Sequence, residues 1–339
     1  MIINGKKFYF LTALVLVTAF FRLNAAEYNE GRIRLVIHET SGRFSLFCLT
    51  DPELERYEPF FTHQDPRTSF LAVYHNDRIF RLGESLRFRI IHELQNGNPV
   101  ISFDSQFLNI RKEFSFIKTA DSPEYNGIKI IIKIENTSAT QASVGLRMLI
   151  DTNLGEGRGS VPFFVGKQAI TGETIIEGNS GEELWFSRSD RLSLMGSISV
   201  PVNEIGKDPD FLHFANWKRL NDAPWKAAYI HGRNFHMPPY SIGDSAVCYY
   251  YEPEVIQPGE TIIYSVFLAE ESPYGFGEKQ RVESGRAIFD SNLDANIQRL
   301  HNLLNLIDRY IAGEIYISEE ELAFIEREVY GLKDLYGIR

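Results

Sequence analysis

The sequence predicts a mainly β protein, a large antiparallel β-sandwich followed by a C-terminal α-helical hairpin. Three observations carry this reading. Segments of alternating apolar and polar residues recur from Arg32 onward, turn signals divide them roughly every 8–12 residues, and helical periodicity is confined to the residues beyond 285. The expected organisation is a signal peptide over 1–26, a β-sandwich domain over 27–285 and a helical hairpin over 286–339.

At the N-terminus Lys6 and Lys7 precede an apolar run from Phe8 to Phe21, and Ala25 and Ala26 supply small residues for cleavage. That is the order of a secretory signal peptide. The run is about 14 residues, short of the roughly 20 that a membrane-spanning helix needs. An exported protein is therefore expected, periplasmic or extracellular, with no stable membrane insertion once the leader is removed. Cleavage takes three positive charges (Lys6, Lys7, Arg22) from a formal −10 and leaves −13. A chain so acidic is a poor partner for nucleic acid, which needs a clustered positive face. Cys48 and Cys248 are the only cysteines. Export permits a bridge, but their apolar surroundings favour two buried free thiols.

Ile33–His38 and Arg43–Leu49 read as a hairpin around Ser41-Gly42. Residues 51–67 are polar, carry three prolines and read as a long loop or lid. Ser69–Tyr74 and Ile79–Leu82 form a second hairpin around Asn76-Asp77. Leu86–Ile91 and Val100–Phe103 flank the turn at 95–99, and 107–117 continues the alternation. Two strand pairs then frame the centre of the chain: 128–135 with 144–151, and 244–252 with 261–268. Ile128, Ile130, Ile132 and Ile134 share one face, as do Val144, Leu146, Met148 and Ile150, with Gly145 and Arg147 opposite. A register slip would bury Lys129 and Lys133. Leu149 marks the second face of its strand as partly covered. Beyond 285, Leu293, Ile297, Leu300, Leu304, Ile307 and Ile311 form a helical stripe that ends at Gly313. Ser318 and Glu321 make a capping box for a second helix carrying Leu322, Ile325, Val329 and Leu332.

Asp65–Ser69, Val144–Gly155, Val161-Pro162-Phe163, Pro209-Asp210, Phe214–Trp217, Asp244–Val247 and Pro258-Gly259-Glu260 together resemble the motifs of an uncharacterised family of exported bacterial β-sandwich modules. The resemblance covers residues 30–270. The layout is more distantly similar to the galactose-mutarotase-like supersandwich. Neither likeness brings catalytic residues. Gly155–Gly159 stands where the first family implies a polar Asn-Asp-Gly type of loop.

The motifs of familiar chemistries fit this sequence poorly. Gly155–Ser160 lacks the helix start and Lys-Ser/Thr pair of a phosphate cradle. Asp151, Asn153 and Glu156 open like a calcium loop, yet the sixth and twelfth positions hold Glu156 and Pro162, so an EF-hand fails and only an irregular cation site survives. His231 and His236 lack a third zinc ligand, and no nucleophile elbow occurs. For a mutarotase-like acid and base, His63, His75, His213 and Glu252 are available types, though no motif selects a pair. Trp185, Trp217, Trp225, Tyr249 and Tyr251 could offer flat faces to a glycan; core packing is the stronger explanation for them, with Tyr250 on the face opposite Tyr249 and Tyr251. No cofactor or metal and no catalytic residue is implied. The leading expectation is a non-enzymatic structural or protein-interaction module of the bacterial envelope, associating with itself or an envelope protein through 290–339. The alternative is a carbohydrate-binding or mutarotase-like (aldose-epimerase-type) protein using an aromatic groove.

Overall fold

The computed structural model describes residues 25–62, 67–119, 121–152, 154–156, 160–201 and 203–276. The chain divides into two units, 1–280 and 281–339, and every described residue belongs to the first. Residues 1–24 of the expected leader, and the helical hairpin expected over 286–339 with its proposed partner surface, lie outside the described residues.

Four strands open the domain: β1 (Ala25–Glu30), β2 (Ile33–His38), β3 (Arg43–Asp51) and β4 (Arg56–Pro59), hydrogen-bonded in that order. The region expected as a loop or lid thus supplies β4, and the adjacent Phe60 and Phe61 are fully buried. Two consecutive phenylalanines hide enough apolar surface to draw that stretch into the core. Next come β5 (Phe70–His75), β6 (Arg78–Arg81), β7 (Arg89–Gln95), β8 (Asn98–Asp104), β9 (Leu108–Ile117), β10 (Gly127–Asn136) and β11 (Ala142–Ile150). They are followed by β12 (Phe163–Val165), β13 (Gln168–Ile170), β14 (Thr174–Glu177), β15 (Leu184–Arg188), β16 (Ser193–Ser197), β17 (Phe211–Asn216), β18 (Ser245–Ile256) and β19 (Thr261–Glu270). A nine-stranded sheet runs β13-β12-β15-β16-β19-β10-β9-β8-β7, and a six-stranded sheet runs β14-β17-β18-β11-β5-β6. The strand pairings are antiparallel. Asn76 and Asp77, and Asn96 with Gly97, take positive φ and close the β5/β6 and β7/β8 hairpins.

The two central strand pairs are not hairpins. Ile128 lies opposite Leu268 in the nine-stranded sheet, and Met148 lies opposite Tyr249 in the six-stranded one. Each pair is therefore split between the layers and exchanges partners with the other. The switch is anchored at Asn136, fully buried, whose side-chain amide donates to the carbonyls of Thr140 (2.8 Å) and Ile256 (3.1 Å). The isoleucine row of β10 and the Val144–Ile150 row of β11 meet in one core between the sheets. Trp185 sits there at 0 % exposure, and a Cβ on Gly196 would fall 2.2 Å from its indole, so that position has room only for hydrogen.

A second, smaller core covers the outer face of the six-stranded sheet: Phe70, Leu149, Ala215, Cys248 and Tyr250 pack with Leu220 of helix α1 (Trp217–Asp222). Cys48 and Cys248 are free and buried, and burial pushes both thiols up to about 12.

Candidate acidic site at the loop end of the six-stranded sheet

Where β11 ends, the chain turns out of the sheet at Asp151. Its amide donates to Ser69 Oγ (2.9 Å) just before β5, and Thr62 N donates to its carbonyl (3.1 Å). Glu156 returns from the glycine-rich loop, and its Oε1 accepts from Ser245 N (2.7 Å) and Ser245 Oγ (3.1 Å). Asp244 precedes Ser245 on the incoming edge of β18. Asn216 organises the ground around it. Asparagine is favoured as a helix N-cap, and the Asn216 Oδ1 accepts from Lys218 N, while Nδ2 donates to Phe235 O (2.7 Å), Ser241 Oγ (3.0 Å) and Asp244 O (2.9 Å). The 231–243 loop is thereby pinned against the sheet end, with Tyr240 68 % exposed at its tip.

Asp151, Glu156 and Asp244 each bring one carboxylate oxygen within 4.8 Å of the others. Burial raises the Asp151 carboxyl to about 7, and the Asp244 charge adds to the rise. Burial likewise raises Glu156 to about 7, eased by the Ser245 amide and reinforced by Asp151. Asp244 is raised by burial, with Ser241 acting the other way. Among the described residues no lysine or arginine pairs with any of the three.

Comparison with solved structures places this chain beside a galactose mutarotase related enzyme from Lactobacillus acidophilus (11 % identity, 73 % of this chain and 97 % of that one, TM-score 0.39). A galactose mutarotase-like protein from Lactobacillus casei gives 10 % identity, 73 % and 100 % coverage and a TM-score of 0.42. An aldose epimerase homologue from C. elegans gives 9 %, 73 % and 99 %, with a TM-score of 0.42. The chain is distantly similar to galactose-mutarotase-like proteins. No protein-family model and no curated protein matches it. No residue role comes with the structural likeness, and the site stands on its own geometry.

The five aromatic residues named for a glycan face do not lie together: they are divided between the two faces of the six-stranded sheet. Trp185, Tyr249 and Tyr251 are 0–1 % exposed in the core between the sheets. Trp217 and Trp225 lie on the other side of the six-stranded sheet. Trp217 donates Nε1 to Thr68 O (2.8 Å), and the Trp225 ring packs on Tyr74 (5.6 Å) and Tyr250 (6.1 Å). The sheet itself separates the two sets, because alternate residues of a strand point to opposite faces. Of the expected cation residues, Asp151 and Glu156 are brought together, and Asn153 lies outside the described residues. Asp244, just before the distant β18, carried no signal as a cation ligand.

Among the described residues, His75, His213 and Glu252 do not meet one another. His75 stacks on Phe107 (4.5 Å), Glu252 holds Lys226 (2.8 Å), and His63 lies outside the described residues. His213 is buried on β17 with Glu173, its Nε2 3.0 Å from Glu173 Oε1. That carboxylate also accepts from Ile230 N (3.0 Å) and Arg219. Burial holds His213 below the usual imidazole value.

Proposed function

We propose that this chain binds carbohydrate at the loop end of the six-stranded sheet. The observation behind the reading is the convergence of Asp151, Glu156 and Asp244, next to which the 231–243 loop, carrying the exposed Tyr240, is fastened through Asn216. Sugar hydroxyls donate well to carboxylates, and the C–H face of a sugar ring packs on an aromatic plane. Glu156 and Asp244 are half-buried residues, so each keeps some contact with solvent, and Glu156 is held in position by Ser245. Tyr240 is held by its loop and by Lys218, whose ammonium lies 5.0 Å from the ring centre, while most of the side chain stays in water.

Glycan-array screening followed by calorimetry on the best ligand tests the reading. Binding by the wild type is expected to weaken about tenfold or more in Tyr240→Ala and in Glu156→Gln, with unchanged far-UV circular dichroism. Binding that ignores both substitutions would remove this end of the sheet from consideration. Polarimetry on glucose and galactose adds catalysis to binding if the wild type speeds mutarotation and Glu156→Gln does not.

A further inference from the structure

We propose that Asp151, Glu156 and Asp244 form a divalent-cation site suited to a calcium-class ion. The inference goes beyond the glycan reading, and either can fail without the other. Three like charges brought this close repel one another, and at the buried Asp151 there is little water to screen them. Asp151 is the decisive member. It is 2 % exposed, contributes one of the three converging oxygens, and its Oδ1 is buried without a hydrogen-bond partner. A buried anionic oxygen left bare is costly unless something positive meets it. The Thr68 and Thr62 hydroxyls both lie close enough to favour the charged carboxylate, and Thr68 Oγ1 is itself buried without a hydrogen-bond partner. It is a neutral oxygen beside Asp151, of the kind a hard cation accepts.

The chemistry of the donors selects the ion. All are oxygens, which suits a hard cation rather than zinc or copper. Oxygens up to 4.8 Å apart fit on a sphere whose radius is the Ca²⁺–O distance of about 2.3–2.6 Å. Calcium also tolerates an irregular shell, whereas Mg²⁺ demands near-octahedral geometry at about 2.0–2.1 Å. The ligands arrive from two distant regions of the chain: Asp151 and Glu156 just beyond β11, and Asp244 just before β18. A bound ion would therefore tie the loop to the sheet.

Calorimetric titration of CaCl₂ into the full chain, first stripped with EDTA, tests the site. Saturable uptake of one Ca²⁺ per chain is expected, accompanied by a rise in melting temperature. Asp151→Asn and Asp244→Asn are each expected to weaken it about tenfold or more, and Glu53→Gln on the exposed 51–55 turn is expected to leave it unchanged. Both Asn variants are near-isosteric, and circular dichroism in EDTA verifies that they fold; Glu156→Gln, on the half-buried loop, repeats the test. No calcium uptake by the wild type, or uptake equal in all three site variants, would overturn the proposal.

Discussion

A lone buried glutamate and a cluster of three acids both flank strands of the six-stranded sheet and differ in what surrounds them. Glu173 receives His213, Arg219 and the Ile230 amide, and its side chain is 1 % exposed. Asp151, Glu156 and Asp244 face one another, with no described lysine or arginine among them. The first site satisfies its anion and fastens the 228–230 segment to β17; it is a structural staple. The second leaves an anion unmet, which a fold tolerates where something else is to be bound. Burial alone does not mark a functional carboxylate. What marks it is burial without a partner.

The same chemical change, carboxylate to amide, is expected to have opposite signs at the two places. Glu173→Gln leaves Arg219 facing a neutral group and is expected to destabilise the fold by about 3 kcal/mol, read by urea denaturation. A neutral or stabilising result would erase the distinction between the two sites.

Lys112 sharpens it with a buried cation. It is 2 % exposed, donates to the Gly42 carbonyl, and lies 5.3 Å from the ring centres of Phe44 and Phe114. Burial lowers its pKa to about 7. The folded state therefore binds this proton less tightly than the unfolded state, whose lysine titrates near 10.5. The Lys112 contribution to stability is expected to rise with pH from about 7 toward 10 and to be lowest below 7, whereas the buried Cys48 and Cys248 thiols act the other way above about 9. Lys112→Met is expected to flatten that rise and to stabilise the protein at pH 7 by roughly 2 kcal/mol, the lost bond to Gly42 included. Denaturation midpoints at pH 6, 8 and 9.5 check both statements.

Asp151→Asn is expected to stabilise the cation-free chain by about 1 kcal/mol in EDTA at pH 8, since it removes an unmet buried charge. A lower midpoint there would mean that the cluster is already neutralised and resembles Glu173 after all. The smallest effect belongs to Tyr240→Ala, within about 0.5 kcal/mol of wild type by the same denaturation, because that side chain is largely in solvent.

Much of the fold is legible in the residues. The alternation of β10 and β11 sets their buried faces, Asn76-Asp77 and Asn96-Gly97 mark tight turns, and Tyr250 parts from Tyr249 and Tyr251 as strand geometry requires. The assignment of strands to layers was not legible. A short connection such as 137–141 serves a hairpin or an arch between sheets equally well, and only the distant partners β18 and β19 decide which. The site was half legible. Asp151 and Glu156 share a loop, whereas Asp244 joins them only through the β11–β18 pairing. Lys112 had a signal in plain view: it falls in the alternating row of Leu108, Ile110 and Phe114, which points inward.

The contact between Trp185 and Tyr249 has one further effect. Trp185 Nε1 donates to Tyr249 Oη (2.6 Å), which donates to Ser197 O (2.8 Å), so a strand of one sheet is latched to strands of the other. Greasy layers can glide over each other with little penalty, but a directional link in a dry interior breaks when they do, at about 1–3 kcal/mol for each orphaned group. The indole is thus a dowel that fixes the lateral alignment of the two sheets.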